Sequence, residues 1–467
     1  MDRKQIIFLV LLIAFLGGLF LYKIAEPALF EEDEAKITEE AREILVTGDW
    51  LTLHLNLEPW FHKPPLYMWC TAVTFKLFAM NEFTARVWSA IFAIGACVAT
   101  FFLGRMIFEF AVGGFSAIML GTSLLFVCLS RAAFVDTPLT FFITLSMLFF
   151  LKAYEEKSFL LPLSALSMAL AVMSKGPIGV ILPGISIFVY LMFKKELGYV
   201  VRNIWQVVLS LFVFLLVATP WWIAEYLMWG KTFIGDLFGD YMVGIYTSTF
   251  QRHAGPFYFY VIVILLGMLP WSINVIAGIV NGAKKENLDK TLFLLVWAAV
   301  VFVIFSTAKT KVPGYILPIF PPLSILAAMS FDSWKTRAGR MALPVLTALM
   351  LVSVVFVIIA SEFILPKFEE QYNPSRIVAN EIKKDVKDWD TVKYYDYKTW
   401  FRASLVFYLE RQVVHIKNAK ELGKVLAGKD EAVIFTDTRA YEKIKKEIAP
   451  YVKDVKTKGE IVALIKR

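Results

Sequence analysis

The amino-acid sequence predicts a polytopic α-helical membrane protein with a small α/β domain at its C-terminal end. Three observations lead there. The 467-residue chain is 58% hydrophobic, against roughly 45–50% apolar in an average soluble domain, and its mean hydropathy is +0.63. The excess is gathered into separate blocks close to the length, about 17–25 residues, that a helix needs to cross a bilayer. From about Glu362 the pattern changes to short strand-like and helix-like runs in alternation.

The long apolar blocks run over residues 6–22, 87–104, 111–129, 138–152, 159–173, 177–193, 204–224, 257–280, 291–307, 313–330 and 342–361. The first follows Met1-Asp2-Arg3-Lys4, and Lys23, Glu26 and Pro27 come after it in place of a small-x-small cleavage site. It reads as a retained helix with a cytoplasmic N-terminus, not a signal peptide. A shorter stretch, 65–79, contains Lys76 and follows Pro64-Pro65, and reads as an interfacial or partly inserted helix.

With 65–79 kept from crossing, the remaining loops alternate. Those left inside hold Arg105, Lys152 with Lys157, Lys194-Lys195 with Arg202, Lys284-Lys285 with Lys290, and Lys335 with Arg337 and Arg340. That is a positive-inside pattern, giving about eleven spans and an external C-terminus. It also accounts for the formal charge of +8; no basic-aromatic module stands apart from the membrane blocks, so no nucleic-acid partner is expected. Cys70, Cys97 and Cys128 lie inside apolar blocks without CxxC spacing and read as small core residues.

The predicted organisation is a transmembrane domain over 1–361, whose outer loop 23–86 carries the candidate site, and an α/β domain over 362–467. In the tail, strand-like runs at 392–397, 413–416, 432–436 and 461–465 alternate with helix-like runs at 402–410, 419–426 and 441–448. Neither GxGxxG nor GxxxxGK[ST] occurs there, so no nucleotide site is assigned.

The loops left outside collect the unusual residues. Glu31-Glu32-Asp33-Glu34 is either a solvated acidic helix start or a source of one carboxylate aimed into a cavity. Lys63 stands before Pro64-Pro65 among aromatics, either an interfacial anchor or a cation held near a rigid bend. Asp136, two residues ahead of Pro138, can act as a helix N-cap; at a membrane boundary it also needs a partner, and Arg131 or a pocket lysine would serve. Lys175 and Lys311 each precede a proline that starts a span. A lone lysine at a span end snorkels routinely. Several outer lysines converging with helix N-termini instead make a site for a lipid phosphate or diphosphate.

These residues also carry a resemblance. Asp33-Glu34-Ala35 through Gly48-Asp49-Trp50, then His62-Lys63-Pro64-Pro65-Leu66-Tyr67 and Asn81-Glu82-Phe83-Thr84-Ala85-Arg86, resemble the first outer loop of the aminoarabinose lipid A transferases and their protein mannosyltransferase relatives. Asp136-Thr137-Pro138, Ser174-Lys175-Gly176-Pro177, Pro270-Trp271 and Lys311-Val312-Pro313-Gly314-Tyr315-Ile316-Leu317-Pro318 follow in the family's order. The resemblance implies a GT-C glycosyltransferase of the bacterial inner membrane with its site and C-terminal domain on the periplasmic side. It would use a polyprenyl-phosphate sugar as donor, and lipid A or a related glycolipid as acceptor. The implied catalytic residues are Asp33 and Asp136, and the implied donor-phosphate residues are Lys63, Lys175, Lys311 and Tyr315. Glu34, Arg131, Arg252 and His253 are candidates for the substrate pocket. His62, Ile37 and Asp240-Tyr241 depart from the aminoarabinose transferases where the donor sugar is expected, so the resemblance does not name the sugar.

The chemistry follows from the residue types. Displacement at an anomeric carbon needs fixed positive charge on the leaving phosphate, here from the lysines, and an acceptor oriented for in-line attack, here by Asp33. One displacement inverts the configuration. His62 and His253 are the candidate ligands should a divalent metal bind; the alternative for each is an interfacial histidine bonded to a carbonyl. No other cofactor is implied. A protein O-mannosyltransferase is the alternative within the class. A lipid transporter or flippase is the alternative outside it, though transporters place ionisable groups near the midplane rather than at one face. A sensing protein whose tail binds a partner is the third alternative.

Overall fold

The computed structural model describes residues 3–156, 158–248, 254–338, 342–386, 391–397 and 402–466. It divides into two compact units. The first comprises Met1–Tyr22, Phe61–Tyr67 and Arg86–Val357; the second comprises Lys23–Trp60, Met68–Ala85 and Ile358–Arg467. A single cut at residue 361 therefore does not describe the packing, because most of the outer loop belongs with the tail.

In the first unit the apolar blocks become helices, the conformation that satisfies every backbone polar group within the segment when no water is present. Among the described residues, seven helices are long and apolar enough to cross a membrane, two further pairs are bent by 65° and 115°, and Leu161–Lys175 and Ile178–Phe193 are shorter apolar helices. Together these elements take up all the apolar blocks read from the sequence. The Leu66–Leu77 helix has 12 residues, about 18 Å at 1.5 Å per residue, well short of the ~30 Å hydrocarbon layer.

The two bends solve each other's hydrogen-bonding problem. Phe110–Gly121 and Leu124–Ser130 are separated by Thr122-Ser123, whose hydroxyls donate back to the carbonyls of Ile118 and Met119 at 2.6 Å, a bonding mode that bends helices. Phe259–Gly267 and Ser272–Gly282 are separated by a turn containing Pro270, which has no N–H to continue a helix. Across the gap Leu124 N donates to the Leu269 carbonyl at 2.9 Å, and Trp271 Nε1 donates to Thr122 Oγ1 at 2.9 Å. The interrupted backbone of each pair is thus met by the other.

In the second unit a five-stranded sheet has the order Val413–Ile416, Lys393–Tyr397, Ala432–Asp437, Ile461–Lys466, Val452–Lys458. The first three strands are parallel, and Ile461–Lys466 runs antiparallel to both of its neighbours. Alternation feeds two apolar layers, with Tyr394, Val433, Phe435 and Ala463 on one face and Tyr397, Ile434, Val462 and Leu464 on the other. Helices Ser375–Asp385 and Ala403–Leu409 cover the first face, and Ala419–Ala427 and Thr438–Ile448 cover the second. The strand Val452–Lys458 escapes a hydrophobicity reading because it is an edge strand carrying Lys453, Asp454, Lys456 and Lys458, the charges that protect an edge from pairing. The opposite edge is met by Asn56, whose amide donates to the Val413 carbonyl and accepts from Val413 N, both at 2.9 Å. Arg376 adds a clamp: its guanidinium contacts Glu369 twice, Glu82 at 2.8 Å and the Glu26 carbonyl at 2.7 Å.

Candidate active site

Three of the singled-out residues meet in the first unit. Asp136 opens the helix Asp136–Glu155, and Lys175 closes the helix Leu161–Lys175. Lys175 Nζ lies 2.5 Å from Asp136 Oδ1, with the two side chains 11% and 10% exposed. The same ammonium sits 4.1 Å from the centre of the Tyr315 ring, within cation–π reach. Local geometry sets this up. Gly176 takes φ +86°, which turns the chain directly after Lys175, and a Cβ on Gly179 would lie 2.3 Å from the Ala171 carbonyl carbon. Only glycine allows the turn and the close helix contact that follow the lysine. Gly314 packs against Asp136 from the other side, where a Cβ would meet the carboxylate at 3.3 Å. Asp136 thereby holds Lys175 in one place, and an incoming phosphate oxygen can compete for that ammonium.

Lys63 is 7% exposed and belongs to the same unit. Its segment is anchored at both ends. The Phe61 ring packs at 5.7 Å from Trp229 and 5.5 Å from Phe233, and the Tyr67 hydroxyl shares a 2.8 Å hydrogen bond with Ser89 Oγ. Ser89 Oγ also accepts from Phe134 N at 3.4 Å, so one hydroxyl ties the Lys63 segment to the residues just before Asp136.

Lys311 and Arg131 are held differently. Lys311 Nζ donates to the carbonyls of Ser306 at 2.9 Å and Ala308 at 2.5 Å, at the C-terminal end of the Leu288–Thr307 helix. It is a cation satisfying orphan carbonyls at a helix C-terminus, and burial pushes its pKa below the ordinary lysine value. Arg131 donates to the carbonyls of Leu19, Phe20 and Tyr22 and so caps the first helix; the partner of Asp136 is the lysine.

Asp33 and Glu34 belong to the second unit. Asp33 is the half-buried first residue of the helix Asp33–Thr47. Its neighbours serve the local structure: Glu31 accepts from Ser404, Glu32 pairs with Lys36 at 2.7 Å, and the buried Glu34 accepts from Phe30 N at 2.7 Å. Further along this helix Arg42 bonds Glu39 through two nitrogens, and Glu43 accepts from Leu57 N at 2.9 Å. Burial, reinforced by the neighbouring Glu39 carboxylate, pushes the Glu43 carboxyl up to about 9. Arg252 and His253 lie outside the described residues. Among the described residues no group of three His, Cys, Asp or Glu side chains could hold a metal. Ser89 gave no sequence signal; Glu225 did, being a carboxylate at the end of an apolar block, and it is fully buried in the Ile204–Trp229 helix.

A sequence model of the dolichyl-phosphate-mannose-protein mannosyltransferase family matches residues 62–223. The fold is closely similar to that of ArnT from Cupriavidus metallidurans, solved with bound undecaprenyl phosphate, at a TM-score of 0.81 and 20% identity over 98% of this chain and 97% of that one. The architecture is that of a GT-C membrane glycosyltransferase. A protein of Aquifex aeolicus without an assigned function is 30% identical over 88% of this chain and 89% of its own length. The undecaprenyl phosphate-alpha-4-amino-4-deoxy-L-arabinose arabinosyl transferase 2 of Proteus mirabilis is 27% identical over 70% of this chain, the alignment spanning 60% of that enzyme. The chain belongs to the GT-C polyprenyl-phosphate-sugar glycosyltransferase family.

Proposed function

We propose that this protein transfers a sugar from undecaprenyl phosphate, or a similar polyprenyl phosphate, to a glycolipid acceptor of the lipid A type. The observation that carries the reading is the largely buried Lys175, its side chain 11% exposed, held at a helix junction by Asp136 and Tyr315 in the same unit as the buried Lys63. Buried cations positioned in advance stabilise a leaving phosphate without reorganising during the reaction. The likeness in sequence to aminoarabinosyl transferases supports the donor class.

In the proposed step an acceptor oxygen attacks the anomeric carbon, and the bond from that carbon to the donor phosphate oxygen breaks. The phosphate leaves with the electron pair, toward Lys63 and Lys175. With a hydroxyl acceptor, Asp33 takes the proton; with a phosphate acceptor there is no proton to remove and Asp33 orients the nucleophile. The anomeric configuration inverts. The site faces the periplasm of a bacterial inner membrane in this reading, because the lysine-rich loops then stay inside.

The test is transfer by purified protein in detergent, offered a panel of undecaprenyl-phosphate sugars and extracted lipid A, with mass spectrometry of the lipid. A sugar-sized mass gain lost in Asp33→Ala and Lys63→Ala supports the reading and names the donor. Transfer that persists in Asp33→Ala removes its assigned role. The family match over residues 62–223 favours a second reading, a protein O-mannosyltransferase; transfer to a Ser or Thr hydroxyl of a peptide, with none to lipid A, would establish it instead.

A further inference from the structure

A groove of about 920 Å³ opens between the helices Arg3–Leu21, Glu82–Ile107 and Asp136–Glu155. Its walls are apolar, formed by Ile13, Ile94, Val98, Phe102, Phe141 and Leu145 among others. Gly95 lets the Phe141 ring lie against the helix backbone, since a Cβ there would be 2.7 Å from the ring edge. From Ile91 to Arg105 the groove follows one helix for about 21 Å at 1.5 Å per residue. That is more than one leaflet's share of the ~30 Å hydrocarbon layer.

Only one end is charged. Arg105, Lys152 and Glu156 line it; Lys152 and Glu156 are 3.9 Å apart and both substantially exposed, and Arg105 has no ion-pair partner among the described residues. Arg3 and Lys4 reach the same end, because Phe8 packs against Phe101 and Phe110 at 5.6 and 5.4 Å. Lys152 lies sixteen residues along the helix that Asp136 opens, about 24 Å away by the helical rise. The cationic mouth and the candidate active site are therefore at opposite ends of the bundle.

We propose that this groove binds an anionic phospholipid of the leaflet opposite the active site, with its phosphate between Arg105 and Lys152 and an acyl chain along Val98, Phe102 and Phe141. The charge pattern selects this occupant: apolar walls accept any lipid tail, while a cationic mouth between membrane helices favours an anionic headgroup. In the orientation proposed above this is the cytoplasmic leaflet.

The experiment uses the full-length protein in nanodiscs of phosphatidylcholine alone, with added phosphatidylglycerol, or with added undecaprenyl phosphate. Retained lipid is read by native mass spectrometry and stability by the unfolding temperature. The wild type is expected to retain phosphatidylglycerol over phosphatidylcholine and to gain stability from it. Arg105→Gln combined with Lys152→Gln should weaken that binding about thirtyfold, at about 1 kcal/mol per basic residue. Val98→Trp, which fills the groove and leaves its mouth intact, should lose the lipid as well. Equal retention in wild type and both variants overturns the proposal. So does equal retention of the two phospholipids, or selective capture of undecaprenyl phosphate through the same residues.

Discussion

Lys175 and Asp136 are 39 residues apart in sequence and joined by a 2.5 Å ion pair, each side chain about nine-tenths buried. The pair sits at the end of one membrane helix and the start of another. The same contact therefore ties two helix ends together and, in the proposed reaction, holds the cation that would meet the leaving phosphate.

Removing one partner of this pair leaves an uncompensated buried charge, which costs about 3–5 kcal/mol. Lys175→Met and Asp136→Asn are each expected to lower the unfolding temperature sharply. The double variant should be less destabilised than the sum of the two. Thermal unfolding of the four proteins in one detergent checks this; additive losses would show that the residues are not energetically coupled.

The Lys175 ammonium lies 4.1 Å from the centre of the Tyr315 ring. Tyr315→Phe should retain nearly full activity. Tyr315→Leu should lose about 0.5–2 kcal/mol of cation–π stabilisation, roughly 2- to 30-fold in kcat/KM. A large defect in Tyr315→Phe would place the hydroxyl in the chemistry instead.

Lys63 and Lys311 are both buried and are expected to fail differently. Lys311→Met removes a helix C-terminal cation worth about 1–2 kcal/mol, so the unfolding temperature should fall while the KM for donor changes little. Lys63→Met should weaken donor use in kcat/KM with the smaller effect on stability. Steady-state kinetics beside thermal unfolding separates the two patterns. A donor KM effect dominating in Lys311→Met would restore that residue to the phosphate site.

Glu43 makes the second unit pH-sensitive. Its folded-state pKa is raised from 4.5 to about 9, chiefly by burial and then by the neighbouring Glu39 carboxylate. Between those values the folded form holds a proton that the unfolded chain releases, so stability falls as pH rises. Its contribution is fully present below the unfolded value and lost as pH passes the folded one. Glu43→Gln, which keeps a neutral hydrogen-bonding group, should flatten the slope of unfolding temperature against pH over that window. An unchanged slope would mean that another group controls it.

Much of the fold was legible in the chain because each membrane helix satisfies its own backbone, which makes a span a local property of composition. The apolar blocks and most of the tail's strands and helices could be read this way. The strand Val452–Lys458 could not, since its charges mark it as an edge and hide its alternation. The shared unit of outer loop and tail was equally hidden, resting on contacts such as Asn56 with Val413 and Arg376 with Glu82 across hundreds of residues.

At the candidate site the sequence could nominate cations and carboxylates but not assign their partners. Lys63, Lys175 and Lys311 look alike as lysines beside prolines. Lys311 turns back onto the carbonyls of the preceding helix end, and Lys175 reaches a carboxylate and a ring on other helices. Arg131 or a pocket lysine could have partnered Asp136, and packing sends Arg131 to the end of the first helix. By itself the sequence determined the membrane class, the run of apolar helices, the α/β tail and the residue types available for phosphate chemistry, since composition and local periodicity carry these. The tertiary structure alone decided which charge meets which, because a buried ion pair depends on where distant helix ends are brought together.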